Sequence, residues 1–262
     1  MDKKPDNSSP ITRRSFIGNG SKIASVGALA GVVLPVVHGK TEDITKIALV
    51  GCGGRGTGAA SNALSVSLAH GPTKLVAMAD VFENRLNSSY NGLVKRHKDK
   101  VDVPPDRKHI GFDSYKKAMD TLDPGDIAIF TTPCAFRWVH FEYAIKKGLN
   151  VFMEKPVTPD GFSSRKMLEL NKLAKKKNLK VGVGLMCRHS QARRELFSRI
   201  KDGELGEILA LRAYRMQGPI ASCFSGKKPA GEKELMYQIR RFHSFLWLSG
   251  GSFSDFFIHN ID

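Results

Sequence analysis

From Thr45 onward, short apolar runs alternate with longer stretches of mixed polarity. The runs are Ile47-Ala48-Leu49-Val50, Leu75-Val76-Ala77-Met78-Ala79, Ile127-Ala128-Ile129-Phe130 and Val151-Phe152-Met153. Unbroken apolar runs of this length, bounded by turn residues, are the pattern of strands buried on both faces. The stretches between them read as helices over 83–97, 114–122 and from 137 to a C-cap glycine at Gly148. A helix over 162–177, a strand over 180–186 and a helix over 191–201 continue the series. Strand and helix in alternation predict an α/β fold with a doubly wound parallel sheet. The pattern then changes. Ile208 to Arg215 alternates only in part and predicts a strand of a different sheet, where a second domain begins. Residues 218–232 are rich in Gly, Pro, Ser and Lys and read as a loop, and residues 237–247 are aromatic and basic. The resulting division is 40–190 for a first domain and 191–262 for part of a second.

The turn after the first run is Gly51-Cys52-Gly53-Gly54-Arg55-Gly56-Thr57-Gly58. Gly51, Gly53 and Gly56 fit the G-x-G-x-x-G fingerprint between a strand and a helix. In that fingerprint the first glycine permits the tight turn and the second lets backbone approach a pyrophosphate. The third lets helix and strand pack closely. The second run ends in Asp80, whose carboxylate can accept both ribose hydroxyls of NAD and would repel the 2′-phosphate of NADP. A glycine-rich turn with Asp80 as a strand-end cap is the alternative. Gly51, Asp80, Thr131, Thr132, Glu154 and Lys155 all fall at strand ends, where ligands of open parallel sheets bind.

Composition changes this picture little. The 262 residues, 41% hydrophobic and 25% charged, are enough for one large or two ordinary globular domains. The net charge of +16 raises nucleic acid as a partner. The lysines, however, are scattered on helix faces with no aromatic-interleaved basic motif, so no nucleic acid is expected. The four cysteines, Cys52, Cys134, Cys187 and Cys223, have no metal-ligand spacing and predict free thiols, and no metal is expected. The N-terminus changes more. Thr12-Arg13-Arg14-Ser15-Phe16 is a twin-arginine pattern, followed by small apolar residues from Ile23 to Val37. Residues 1–39 therefore read as a Tat-type export signal, too short and glycine-rich for a stable membrane span. Export to the periplasm follows, with the cytoplasm as the location where the signal is unused.

Two groups could carry chemistry. Lys155 stands at a strand end, where its ammonium could stabilise a developing alkoxide, or could simply pair with Glu154. Asp255 and His259 are four apart and share one helix face. Asp255 could orient that imidazole, or could only cap the helix in a Ser252-x-x-Asp255 capping box. Arg188, His189 and Trp247 are weaker candidates for contacts to a substrate.

Together these segments resemble the Gfo/Idh/MocA oxidoreductases (glucose–fructose oxidoreductase and inositol dehydrogenase among them). The resemblance runs from about Lys46 to the end. It includes the glycine loop, Val-Ala-Met-Ala-Asp80, Thr131-Thr132-Pro133 with His140 beyond, Asn150-Val-Phe-Met-Glu154-Lys155-Pro156, and Ser-Gly-Gly ahead of Asp255 and His259. It implies a Rossmann domain followed by an α/β domain with a mostly antiparallel sheet. It implies NAD, or NADP, held by Gly51, Gly53, Gly54, Arg55, Gly56, Asp80, Thr131, Thr132, Pro133, His140, Glu154 and Lys155. Lys155, Asp255 and His259 become the catalytic set for reversible oxidation of a sugar or polyol hydroxyl. A carbohydrate substrate and, for a full-length form, a homo-oligomer are implied. Family members continue well beyond the Asp-x-x-x-His segment, so a truncated second domain is expected here. Two other functions are compatible: glycoside cleavage by oxidation, elimination and reduction on a retained NAD, or a catalytically silent NAD-binding fragment.

Overall fold

The computed structural model describes residues 44–67, 71–224 and 226–262. The expected export signal and its cleavage point lie outside the described residues. No described helix is long and apolar enough to cross a membrane.

The apolar runs form the strands β1 (Thr45–Val50), β2 (Thr73–Asp80), β4 (Ile127–Phe130) and β5 (Asn150–Met153). Two short strands join them, β3 (Lys108–Ile110) and β6 (Val181–Val183), so the strand expected over 180–186 is confined to its start. All pair in parallel in the order β3-β2-β1-β4-β5-β6. This is the strand order of the Rossmann fold, with its reversal between β1 and β4.

The period-2 geometry of a strand distributes β1 between two cores. Ile47 and Leu49 face α1 (Gly54–Leu64) and α2 (Glu83–His97), where they meet Ala60, Leu64, Leu86 and Leu93. Ala48 and Val50 face the other side. There they meet α3 (Ser114–Asp120), α4 (Arg137–Lys147) and α5 (Gly161–Lys176), through Met119, Phe141, Ile145 and Leu170. Each helix boundary has a local cause. Asp160 caps α5 by accepting from the Ser163 N–H at 2.7 Å. The last turn of α2 carries Lys95, Arg96 and His97 against its negative end. Gly148 ends α4 in the left-handed region, at φ 73°.

Beyond β6 the structure departs from the expectation. Helix α6 (Gln191–Lys201) forms with its predicted bounds but buries no residue. Ile208 to Arg215 is not a strand, and among the described residues there is one sheet, with no antiparallel second sheet. A strand needs a partner for its backbone groups, and none is present among the described residues. Leu209, Leu211 and Met216 are accordingly exposed, each by more than four-fifths of its surface. Regular structure resumes at α7 (Glu234–Arg240), a 3₁₀ turn at Phe242–Ser244 and α8 (Leu246–Ser249). A π-helical turn at Phe253–Phe257 and α9 (Ile258–Ile261) follow. The capping box predicted at Ser252 does not form, because its hydroxyl makes no capping bond and Asp255 is engaged elsewhere.

A Cβ at Gly148 would sit 3.3 Å from Pro124 Cβ in a left-handed residue. Gly148→Ala is expected to lower stability by about 1–2 kcal/mol, read from the urea midpoint.

Candidate cofactor and catalytic site

A cleft of about 1190 Å³ opens at the carboxyl ends of β1, β2, β4 and β5. The glycine loop forms its floor. Gly51 adopts φ 97°, and Thr131 Oγ1 donates to its carbonyl at 2.5 Å, tying β1 to β4. A side chain on Gly56 would overlap that same carbonyl and stand 2.6 Å from Thr131 Oγ1. Gly56 is therefore required for packing. Gly53 and Gly54 differ, since a Cβ on either meets nothing within 4 Å. They open onto the cleft at the first turn of α1, which has no side-chain cap and no acidic residue. Uncapped N–H groups and the positive end of a helix beside open space suit a pyrophosphate.

Asp80 closes the second side. Its Oδ2 accepts from the Cys52 N–H at 2.6 Å and its Oδ1 from the Phe82 N–H at 2.8 Å. The carboxylate is thus buried, held in place by both neighbouring turns, and on the cleft wall. Asp80 therefore does cap a strand end, and its carboxylate also lines the cleft.

On the β4–β5 side, the structure shows a residue that local sequence pattern did not single out. Arg137, at the start of α4, is 1% exposed. It donates Nη2–H to the Thr132 carbonyl at 2.6 Å and Nη1–H to the Glu154 carbonyl. Burial lowers its pKa to about 10, with Cys134 and Glu154 acting in the opposite sense, so it remains charged at neutral pH. One guanidinium thereby fixes the Thr131-Thr132-Pro133 loop to Glu154-Lys155. His140 lies one turn further along α4, with Nδ1 3.3 Å from Thr132 Oγ1 and its ring 4.4 Å from that of Tyr115. Burial first, then Arg137, lowers its pKa to about 3. Arg55 reaches across the cleft to pair with the carboxylate of Glu154.

Lys155 Nζ donates to Asp255 Oδ1 at 2.9 Å and also to the Asp255 carbonyl. Both side chains are largely buried, at 18% and 7% exposure. Asp255 thus serves Lys155, not the helix start. Its other oxygen, Oδ2, is 3.5 Å from Nε2 of His243. His243 Nδ1 in turn is 3.1 Å from Ser222 Oγ, and the ring stacks on Phe256. His243 was not anticipated; its only sequence signal is its place in the aromatic and basic stretch 237–247. Burial lowers the His243 pKa, partly opposed by Asp255.

The cleft therefore gathers Gly51, Gly53, Gly54, Arg55, Gly56, Asp80, Thr131, Thr132, Pro133, His140, Glu154, Lys155 and Asp255. His259 is not on its wall. Its Nδ1 is buried without a partner, and burial followed by the Lys155 charge lowers its pKa. Arg188, His189 and Trp247 are not brought to the cleft either. Arg188 is drawn away into a pair with Asp262, with Nε 2.8 Å from Oδ1, and His189 is exposed beside it. Trp247 spends its indole N–H on Gln238 at 2.8 Å.

Gly53→Ala is expected to leave the melting temperature unchanged while weakening dinucleotide binding at least tenfold. Gly56→Ala should instead lower the melting temperature, as read by scanning calorimetry. For His140, the depressed folded-state pKa means that the unfolded chain binds the proton first. Stability should fall as pH drops from about 6.5 towards 3. His140→Gln should flatten that slope in acid titration.

A family model described as an oxidoreductase family with an NAD-binding Rossmann fold matches residues 45–185. An inositol 2-dehydrogenase of Corynebacterium glutamicum is 27% identical over 117 residues, covering 44% of this chain and 34% of the relative. Its counterpart in strain R is 31% identical over 104 residues, covering 39% and 30%. The matched stretch thus spans about a third of these relatives' length. The crystal structure of a myo-inositol 2-dehydrogenase from Lactobacillus plantarum is 23% identical with a TM-score of 0.48, covering 63% of this chain and 43% of that one. With its family match over most of the sheet and a glycine cradle at the reversal point, this chain belongs to the Gfo/Idh/MocA oxidoreductases and carries their NAD-binding Rossmann fold.

Proposed function

We propose that this chain provides the cofactor site and the reactive lysine of an NAD-dependent dehydrogenase acting on a hydroxyl of a sugar or polyol. The observation that carries this reading is the Lys155–Asp255 pair at 2.9 Å, set on the wall of the same cleft as the glycine cradle. The inositol dehydrogenases that this chain resembles suggest the substrate class. NAD, when bound, supplies the hydride acceptor.

The protein's part is to position the alcohol and move its proton. Lys155 is held by Asp255 through two of its three N–H donors, which leaves one for a substrate oxygen. That donor polarises the hydroxyl and stabilises the developing alkoxide. The family resemblance gives the hydroxyl proton to His259, which stands off the cleft wall here and must turn towards the bound alcohol to take it; burial and the Lys155 charge keep that imidazole neutral near pH 7. Asp255 orients the lysine, and His243 braces the opposite oxygen of that carboxylate. The Asp80 carboxylate favours NAD over NADP, because a 2′-phosphate would meet a buried negative charge. The twin-arginine segment at Arg13-Arg14 supports use outside the inner membrane, and a homo-oligomer is part of the same proposal.

Lys155→Met is expected to lower kcat for polyol oxidation about 10²–10⁴-fold, with the NAD dissociation constant changed less than threefold. Stopped-flow measurement of NADH formation across a sugar and polyol panel checks this. In the parent protein, kcat should hold level down to about pH 6.5 and fall only below it, since the base's pKa is lowered from 6.5. Equal activity in the parent and Lys155→Met would refute the assignment.

A further inference from the structure

One segment from the far end of the chain lies on both banks of the cleft. Ile239 in α7 and Leu248 in α8 are buried and pack with Phe82 in a small apolar cluster separate from the two sheet cores. Val81, Ala135 and Phe136 flank it. Val81 and Phe82 directly follow Asp80 at the end of β2, and Ala135 and Phe136 directly follow the Thr131–Pro133 loop and Cys134 at the end of β4. Since β2 and β4 are the neighbours of β1, the anchor points straddle the strand that carries the glycine loop.

Two guanidinium groups meet at the β2 bank. Arg85 lies 4.7 Å and Arg240 4.2 Å from the centroid of the Phe82 ring. Arg85 Nη2 donates to the Arg240 carbonyl at 3.2 Å, across 155 positions of sequence. Both side chains line the cleft beside Asp80. Their charges are incompletely matched. Asp80 already accepts two backbone N–H groups. Glu232 takes Arg240 through Nε at 2.9 Å, and the two Nη groups of Arg240 have no hydrogen bond among the described residues. Burial lowers the Arg85 pKa and Arg240 lowers it further, with Asp80 opposing, as expected where two cations are brought together. Guanidinium donors left free beside Asp80 suit the hydroxyl and ring-nitrogen acceptors of an adenosine, on whose base a planar guanidinium can also stack.

We infer that Arg240 is a cofactor-binding residue contributed from outside the Rossmann fold, whose Nη groups hold the adenylate half of the dinucleotide beside Asp80. The inference rests on NAD lying along Gly51–Gly56 and Asp80. Anchoring by Ile239 and Leu248 places Arg240 there, so the segment 234–249 serves as a strap on the adenosine side.

Isothermal titration of the whole chain with NAD, ADP-ribose and nicotinamide mononucleotide tests this. Arg240→Ala should weaken NAD and ADP-ribose by about tenfold, the scale of one charged hydrogen bond. It should leave nicotinamide mononucleotide unchanged, and Arg240→Lys should recover part of the loss. Unchanged ADP-ribose binding in Arg240→Ala overturns the inference. Equal weakening of all three ligands also overturns it, because the effect would then come from a disturbed segment. A parent protein that binds neither NAD nor ADP-ribose would remove the cleft reading itself, which is a different failure.

Discussion

The site depends on one buried cation. Arg137 sits inside the protein with no carboxylate bonded to it, and its donors go to the backbone carbonyls of Thr132 and Glu154. Those carbonyls stand just past β4 and β5, where the sheet's own hydrogen bonds have run out. A charge taken out of water is costly unless hydrogen-bonded, so this guanidinium holds its partners firmly. The Thr131–Pro133 loop on the cleft wall and the residue that precedes Lys155 are fixed relative to each other by a single planar group. Its Nε is left without a partner, so the geometry is set by the two Nη bonds alone.

The Rossmann half was legible because burial on both faces leaves an unbroken apolar signature. β1, β2, β4 and β5 appear where three to five apolar residues run together, and the glycine loop follows the first of them. Ile208 to Arg215 shows where that logic fails. Partial alternation identifies a segment that could line a sheet, but a strand exists only through pairing, and here no partner strand is described. Arg137, Arg240 and His243 were missed for a related reason. Each acts through contacts with groups remote in sequence, and nothing in its immediate neighbours distinguishes it from an ordinary surface charge. Arg137 sits only five positions from Thr132, yet its burial is a property of how α4 packs on the sheet.

Asp255 illustrates how two readings of the same residue are decided by energetics. A cap bond at an exposed helix start contributes about 1 kcal/mol. A lysine ammonium that is largely buried must find an anion, or lose its charge. Asp255 is 5% exposed, and the nearby cation is Lys155, 100 positions earlier in the chain. The stronger demand prevails, Ser252 is left without a capping role, and the turn from Phe253 to Phe257 widens into a π-helix. Such turns are frequent at functional sites, where a side chain must be aimed and the helix register gives way.

The segment from 234 to 256 then has a mechanical consequence. It carries Arg240 beside Asp80 at one end of the cleft, and His243 and Asp255 at the Lys155 end. Between these lies the apolar anchor of Ile239 and Leu248 on Phe82. Both ends thus belong to one short stretch that shares this apolar anchorage. Ordering by a dinucleotide at the adenosine end would therefore also steady the Asp255 carboxylate and, through it, Lys155. The carboxylate that holds Lys155 is thus supplied by a segment that lies outside the sheet carrying the lysine.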